Sequence, residues 1–193
     1  MYVFFILYRY SIMKIVALLF VVLVIAGCAK HDPAHIGHHD YLDDHVNHAH
    51  HVVVSEESFI ADMIPHHQEA VDTSARLNAI TQDPVLQELT QAIVDGQATE
   101  IVMMESWLDA WYPDSSYVSS YMPMMRDTSS ISAIVTIEKF WLEDMIAHHM
   151  GAVMMAEDVL QLNPREEVAD FARDVIAVQT DEILLMQGLL QQY

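Results

Sequence analysis

Twelve histidines and 13 methionines in a chain of 193 residues with a single cysteine define the chemistry open to this sequence. Imidazole and thioether are the non-thiol side chains best matched to soft and borderline metal ions. Four of the histidines form two adjacent pairs inside a string that recurs. Asp62-Met63-Ile64-Pro65-His66-His67, followed by Ala70-Val71, returns 82 residues later as Asp144-Met145-Ile146-Ala147-His148-His149, followed by Ala152-Val153. At the same offset Gln97, Glu100, Ile101, Met104 and Leu108 return as Gln179, Glu182, Ile183, Met186 and Leu190. A single histidine on an apolar helix face is more often a packing residue than a ligand. Here His, His, Met, Gln and Glu return in register while most other positions have drifted, which points to a metal-related or proton-related role for the pairs.

The elements that must position these residues are helices. Only 5 Gly and 6 Pro interrupt a chain that is 53% hydrophobic. Ser55-Glu56-Glu57-Ser58 is a helix-start signal, and apolar residues at 59, 60, 63, 64, 70, 71 and 77 follow the helical period to about residue 80. Asp83-Pro84 opens a second helix that ends near Trp111-Tyr112-Pro113. Thr136 to Leu162, and Asn163-Pro164 to Gln192, repeat the pattern. Residues 113 to 135 between the copies show no strand pattern. Four helices joined short, long, short predict an all-α, ferritin-like four-helix bundle made of two duplicated hairpins with a long crossover.

At 100° per residue, Met63 and His67 fall at the centre of the first apolar stripe, and His66 lies on its edge beside Asp62 and Glu69. Met145, His149, His148 and Asp144 repeat this placement, and Asp62 stands at the i, i+4 distance from which it can orient His66. Gln97 with Glu100, and Gln179 with Glu182, fall in the stripes of the second and fourth helices, where buried carboxylates require partners. Distances from the two hairpin turns predict that His67 faces Gln97 and His149 faces Gln179, with Met63 and Glu100 one turn nearer the open end.

Ahead of the bundle, residues 15 to 27 form an apolar run of 13, too short to span a bilayer but of signal-sequence length. Ile25-Ala26-Gly27-Cys28 resembles a bacterial lipobox, so residues 1 to 27 read as a lipoprotein-type signal peptide, with Met1 or Met13 as its start. Cys28 is then the lipid anchor. Beyond it, residues 28 to 55 read as a flexible tether, because 31 to 51 hold 8 of the 12 histidines and no apolar periodicity. The bundle takes residues 56 to 193.

Charge and cysteine content exclude whole classes. With 8 basic against 28 acidic residues the chain carries a net −20, and from Cys28 onward 6 against 28 gives −22. Such a field repels phosphate backbones, so nucleic acid is not a partner. One cysteine, read as lipidated, leaves neither a disulfide framework nor a thiol nucleophile.

Met63 to Ala70 and Met145 to Ala152, with Ala147 in place of Pro in the second, resemble the marker strings of the family known as domain of unknown function 305. The likeness runs over roughly residues 56 to 193. That resemblance implies a ferritin-like bundle and, from the family's periplasmic copper- and silver-binding members, a role in metal tolerance. It implies His66, His67, His148 and His149 as ligands with Met63 and Met145 as soft partners. Asp62, Asp144, Glu100 and Glu182 complete the candidate metal set. Spacing separately favours copper over iron, because di-iron bundles use Glu-x-x-His, and here Met63, Ile64, Met145 and Ile146 stand three residues before each histidine. Copper as Cu(I) or Cu(II) is the expected ion, with Ag(I) and Zn(II) as further candidates. The expectation is a non-enzymatic, extracytoplasmic, membrane-anchored protein that sequesters metal ions, its oligomeric state open. The alternative is a ferritin-like metallo-oxidase or oxygenase with Glu100 and Glu182 at a dinuclear centre.

Overall fold

A computed structural model describes residues 53–193. The signal-like run, Cys28 and the His-rich segment lie outside the described residues. Among those described there are four helices and no strand: α1 (Glu56–Asn78), α2 (Pro84–Trp111), α3 (Ile134–Gln161) and α4 (Glu166–Leu190). None is long and apolar enough to cross a membrane. The duplicated pair of hairpins joined by a long crossover forms as the spacing predicts.

Local chemistry sets the helix ends. Ser55 and Ser58 form a reciprocal capping box at α1, and Glu56 and Glu57 place negative charge in its first turn. Pro65 lies inside α1, where it removes one backbone N–H from the ladder. Asp83 caps α2 through bonds from the N–H groups of Val85 and Leu86 at 2.8 and 3.2 Å, with Pro84 at the first position. In the second hairpin Asn163 takes a left-handed conformation with φ 51°, and α4 starts at Glu166 rather than at Pro164. Glu166 is the counterpart of Pro84 at the 82-residue offset, whereas Pro164 is the counterpart of Gln82 in the turn. Glu56 accepts across the bundle from both the backbone N–H and the guanidinium of Arg165, the residue just ahead of α4. Val53 is buried in the core, so packing begins just ahead of α1.

The core has two clusters, and the 82-residue offset turns one into the other. The first gathers Ile60, Met63, Met104, Ala152, Val159, Val168 and Val175. The second gathers their counterparts Leu142, Met145, Met186, Ala70, Leu77, Leu86 and Ile93. Each cluster draws on the first half of one helix of a hairpin and the second half of its duplicate, so α1 and α3 run antiparallel around a pseudo-twofold axis. The hairpins meet chiefly through α1 against α3. The histidine pairs, between Met63 and Ala70 and between Met145 and Ala152, occupy the layer between the two clusters.

Candidate metal centre

His66 and His148 lie on the pseudo-twofold axis. Their rings approach to 3.7 Å between centroids at a tilt of 39°, and both side chains are buried. Neither nitrogen of His66 has a hydrogen-bond partner among the described residues, nor does Nδ1 of His148. Nε2 of His148 lies 3.4 Å from the Tyr121 hydroxyl and 3.6 Å from a Glu69 oxygen. Burial pushes both imidazoles well below their ordinary pKa. The neighbouring histidine rings add to this, His148 foremost for His66 and His149 for His148. Both rings are therefore neutral at physiological pH, each with a nitrogen lone pair directed into the protein.

His67 and His149 flank this pair. His67 Nε2 lies 3.1 Å from Glu100 Oε2, and His149 Nε2 lies 2.8 Å from Glu182 Oε2. Nδ1 of both rings is buried and unpartnered among the described residues. The predicted facing of His67 with Gln97 is displaced by one turn. Side chains on a helix lean toward its N-terminus, so in an antiparallel hairpin His67 leans to the open end while Glu100 reaches back toward the turn, and they meet. Glu100 and Glu182 are only partly buried, with side-chain exposures of 25% and 17%. Gln97 and Gln179 lie deeper than the two glutamates, and their Oε1 atoms lack partners among the described residues.

Asp62 and Asp144 serve the crossover. Asp62 accepts from the Tyr117 and Ser119 hydroxyls, both at 2.7 Å, and from the Ser120 N–H at 3.0 Å. Asp144 accepts from the Arg126 N–H at 2.9 Å and from its Nε at 2.8 Å. The bond from Asp62 to His66 that the i, i+4 spacing offers is not made; both carboxylate oxygens are turned to donors of the crossover. Met63 and Met145 are fully buried, each in the same core cluster as the methionine of the adjoining helix, Met104 or Met186.

Sequence reasoning missed Glu69 and Tyr121 as parts of this site. Glu69 accepts from the N–H groups of Met124 and Met125 and from the Tyr121 hydroxyl. Burial, then the bond to Glu69, raises the Tyr121 pKa, so the phenol stays protonated as a donor. An open cleft of about 750 Å³ bordered by α1, α2 and the crossover reaches Glu69 and Tyr121. It brings solvent to the two groups beside His148. The available signal was a mismatch: position 69 is Glu in one copy and its counterpart, 151, is Gly in the other.

The donors fit a soft ion better than a hard one. Among the described residues no three His, Cys, Asp or Glu side chains converge on one point as a metal site. What the layer offers is buried imidazole nitrogen without partners in a methionine-rich surround, the donor set of Cu(I) and Ag(I) rather than of four-coordinate Zn(II) or octahedral Mg(II).

No curated protein matches the chain. Solved structures do. CopM in its Cu(I)-bound form is 28% identical, superposes with a TM-score of 0.64, and is matched over 72% of this chain and 98% of its own. CopM in the Ag-bound form obtained by co-crystallization is 28% identical at a TM-score of 0.64, over 73% and 98%. A DUF305 fragment from Deinococcus radiodurans is 28% identical at a TM-score of 0.62, over 74% and 99%. Residues 56–190 match the family described as domain of unknown function (DUF305), and with its duplicated helical hairpins the chain belongs to that family.

Proposed function

We propose that the protein binds and sequesters copper or silver ions on the outer side of a membrane, held there by a lipid on Cys28. The observation that carries this is the buried, neutral His66–His148 pair at the seam between the hairpins, in which both nitrogens of His66 and Nδ1 of His148 have no hydrogen-bond partner among the described residues. A buried imidazole that bonds to nothing costs stability, on the order of 1–3 kcal/mol for each unsatisfied group, and a bound ion offsets that cost. Similarity to CopM, solved with Cu(I), Cu(II) and Ag, supports the choice of ions. His66, His67, His148 and His149 supply nitrogen, and the surrounding methionines supply thioether sulfur. Glu100 and Glu182 orient the flanking rings by accepting from Nε2–H, which leaves Nδ1 as the lone-pair nitrogen. The ion itself would contribute only its affinity for these donors; the protein retains it without turnover.

Titration of the full chain with Cu(I) and Ag(I) against a chelator of known affinity tests this. The double variant His66→Leu/His148→Leu should keep its helical content and lose the tightest equivalent of metal. Unchanged tight binding would refute the assignment. Oxygen consumption by the copper-loaded protein beyond one turnover per ion would refute sequestration. Cys28→Ala should release the chain from the membrane fraction.

A further inference from the structure

The two copies depart from each other where the crossover touches them. Glu69 and Gly151 are duplicates by position, and both lie against Met124. Glu69 accepts from the Met124 N–H at 2.9 Å and from the Met125 N–H at 3.2 Å, fixing the crossover backbone. Gly151 leaves a notch on α3. A Cβ placed there would lie 3.6 Å from His66 Nε2 and 3.9 Å from both the sulfur and the terminal methyl of Met124. The thioether and the imidazole nitrogen thus border the same small space from opposite elements. That nitrogen is buried and has no hydrogen-bond partner among the described residues. An aliphatic side chain on residue 151 would fill the space; glycine leaves it open between a thioether and the unpaired imidazole nitrogen.

We propose that Met124 Sδ and His66 Nε2 form a ligand pair for a soft monovalent ion, Cu(I) or Ag(I), in the notch at Gly151. The inference rests on the metal-binding reading above and adds the crossover as a ligand-bearing element. Metal–nitrogen and metal–sulfur bonds of roughly 2.0–2.4 Å, on the scale of those to zinc, are shorter than the 3.6 and 3.9 Å at which the two donors stand from the notch, so both close on the ion. The three rotatable bonds of Met124 permit this while Glu69 keeps its backbone fixed. Sulfur and imidazole are the pair that favours these ions over Zn(II) and Ca(II). One crossover serves one side of the pseudo-twofold axis, so the site exists once per chain. His148, the duplicate of His66, places its Nε2 near the Tyr121 hydroxyl and a Glu69 oxygen, and the Tyr121 ring stands edge-on to His66 at 5.3 Å between centroids.

The test uses the full chain carrying 13C-methyl methionine, titrated with Ag(I) and followed by methyl and imidazole NMR. The Met124 methyl, identified by its absence from Met124→Leu, should shift with the first equivalents, together with the His66 ring. Met124→Leu keeps the apolar volume and should weaken Ag(I) binding at His66 by at least the 10- to 100-fold, roughly, that loss of even an outer-shell partner costs a metal site. Gly151→Ala, which fills the notch at ordinary contact distance, should weaken it comparably with native helical content. If the other histidine or methionine signals of the bundle respond while Met124 stays silent, this site is wrong and the general metal-binding reading stands. If no bundle signal responds, both fall.

Discussion

Two buried imidazoles, with both nitrogens of His66 and Nδ1 of His148 unpartnered among the described residues, tie the stability of this protein to pH. In the unfolded chain His66 and His148 titrate near the ordinary value of about 6.5. In the folded chain burial and the adjacent rings hold them well below it. Between the two values the unfolded state binds protons that the folded state does not, so stability rises with pH through that window. It is complete above the unfolded value and is lost on acidification. Thermal unfolding of the metal-free protein should therefore be flat above about pH 7 and steepen below it, by up to about 1.4 kcal/mol per pH unit for each histidine. His66→Gln/His148→Gln should lose most of that slope. Gly151→Ala offers a contrast at one residue: its Cβ meets nothing closer than 3.6 Å, and alanine in a helix interior is favoured over glycine by roughly 0.5–1 kcal/mol. Urea titration of the metal-free variant should show a gain of that order.

At the scale of elements, the crossover is held by carboxylates from both hairpins. Asp62 and Glu69 of α1 bind its first part, and Asp144 of α3, with Glu143, binds Arg126 near its end. The Arg126 guanidinium also lies 4.0 Å over the Phe140 ring. Asp144→Ala should cost about 1–3 kcal/mol, because it strips partners from a half-buried guanidinium and a backbone N–H. It should also expose residues 113–133 to limited proteolysis while α1 to α4 persist. The helices and the histidine pairs were legible in the sequence, because caps such as Ser55 and Asp83 act within a few residues and apolar period reveals a buried face. The use made of Asp62, Glu69 and Asp144 was not. Their partners lie 18 to 58 residues away in a segment without periodicity, and nothing local distinguishes a carboxylate that orients a histidine from one that grips a loop. The one-turn displacement of His67 from Gln97 to Glu100 escaped for a related reason: spacing gives the height of a Cα, whereas side-chain length and lean decide which atoms meet.

Across the whole molecule the duplication extends to its two ends. Glu56, at the start of α1, holds Arg165 beside the turn of the second hairpin and accepts from the Tyr112 hydroxyl at 2.7 Å. Its duplicate Glu138 accepts from Thr81 in the turn of the first hairpin at 2.6 Å and from Tyr193 at 3.2 Å. Each hairpin is thus latched to the turn of the other, once at each end of the bundle. Glu56→Ala and Glu138→Ala should each destabilise the fold by about 1–3 kcal/mol. Because they share no partner, their effects should add to within about 0.5 kcal/mol in the double variant. The central layer behaves otherwise, since His66 and His148 touch and their substitutions should couple.

The Glu69 and Gly151 pair also separates this chain from a dimer of identical hairpins. Two copies of a single hairpin, assembled as a homodimer, carry the same residue at both symmetry-related positions. Glutamate on one side of the axis and glycine on the other is a state that no such dimer can hold. Each of the two residues serves the connecting segment, which runs along one side only: one copy secures that segment's backbone and the other makes room for its methionine. A symmetric protein rebuilt from either half, with glutamate or glycine at both positions, would keep the histidine contact on its axis and would lack the lopsided notch.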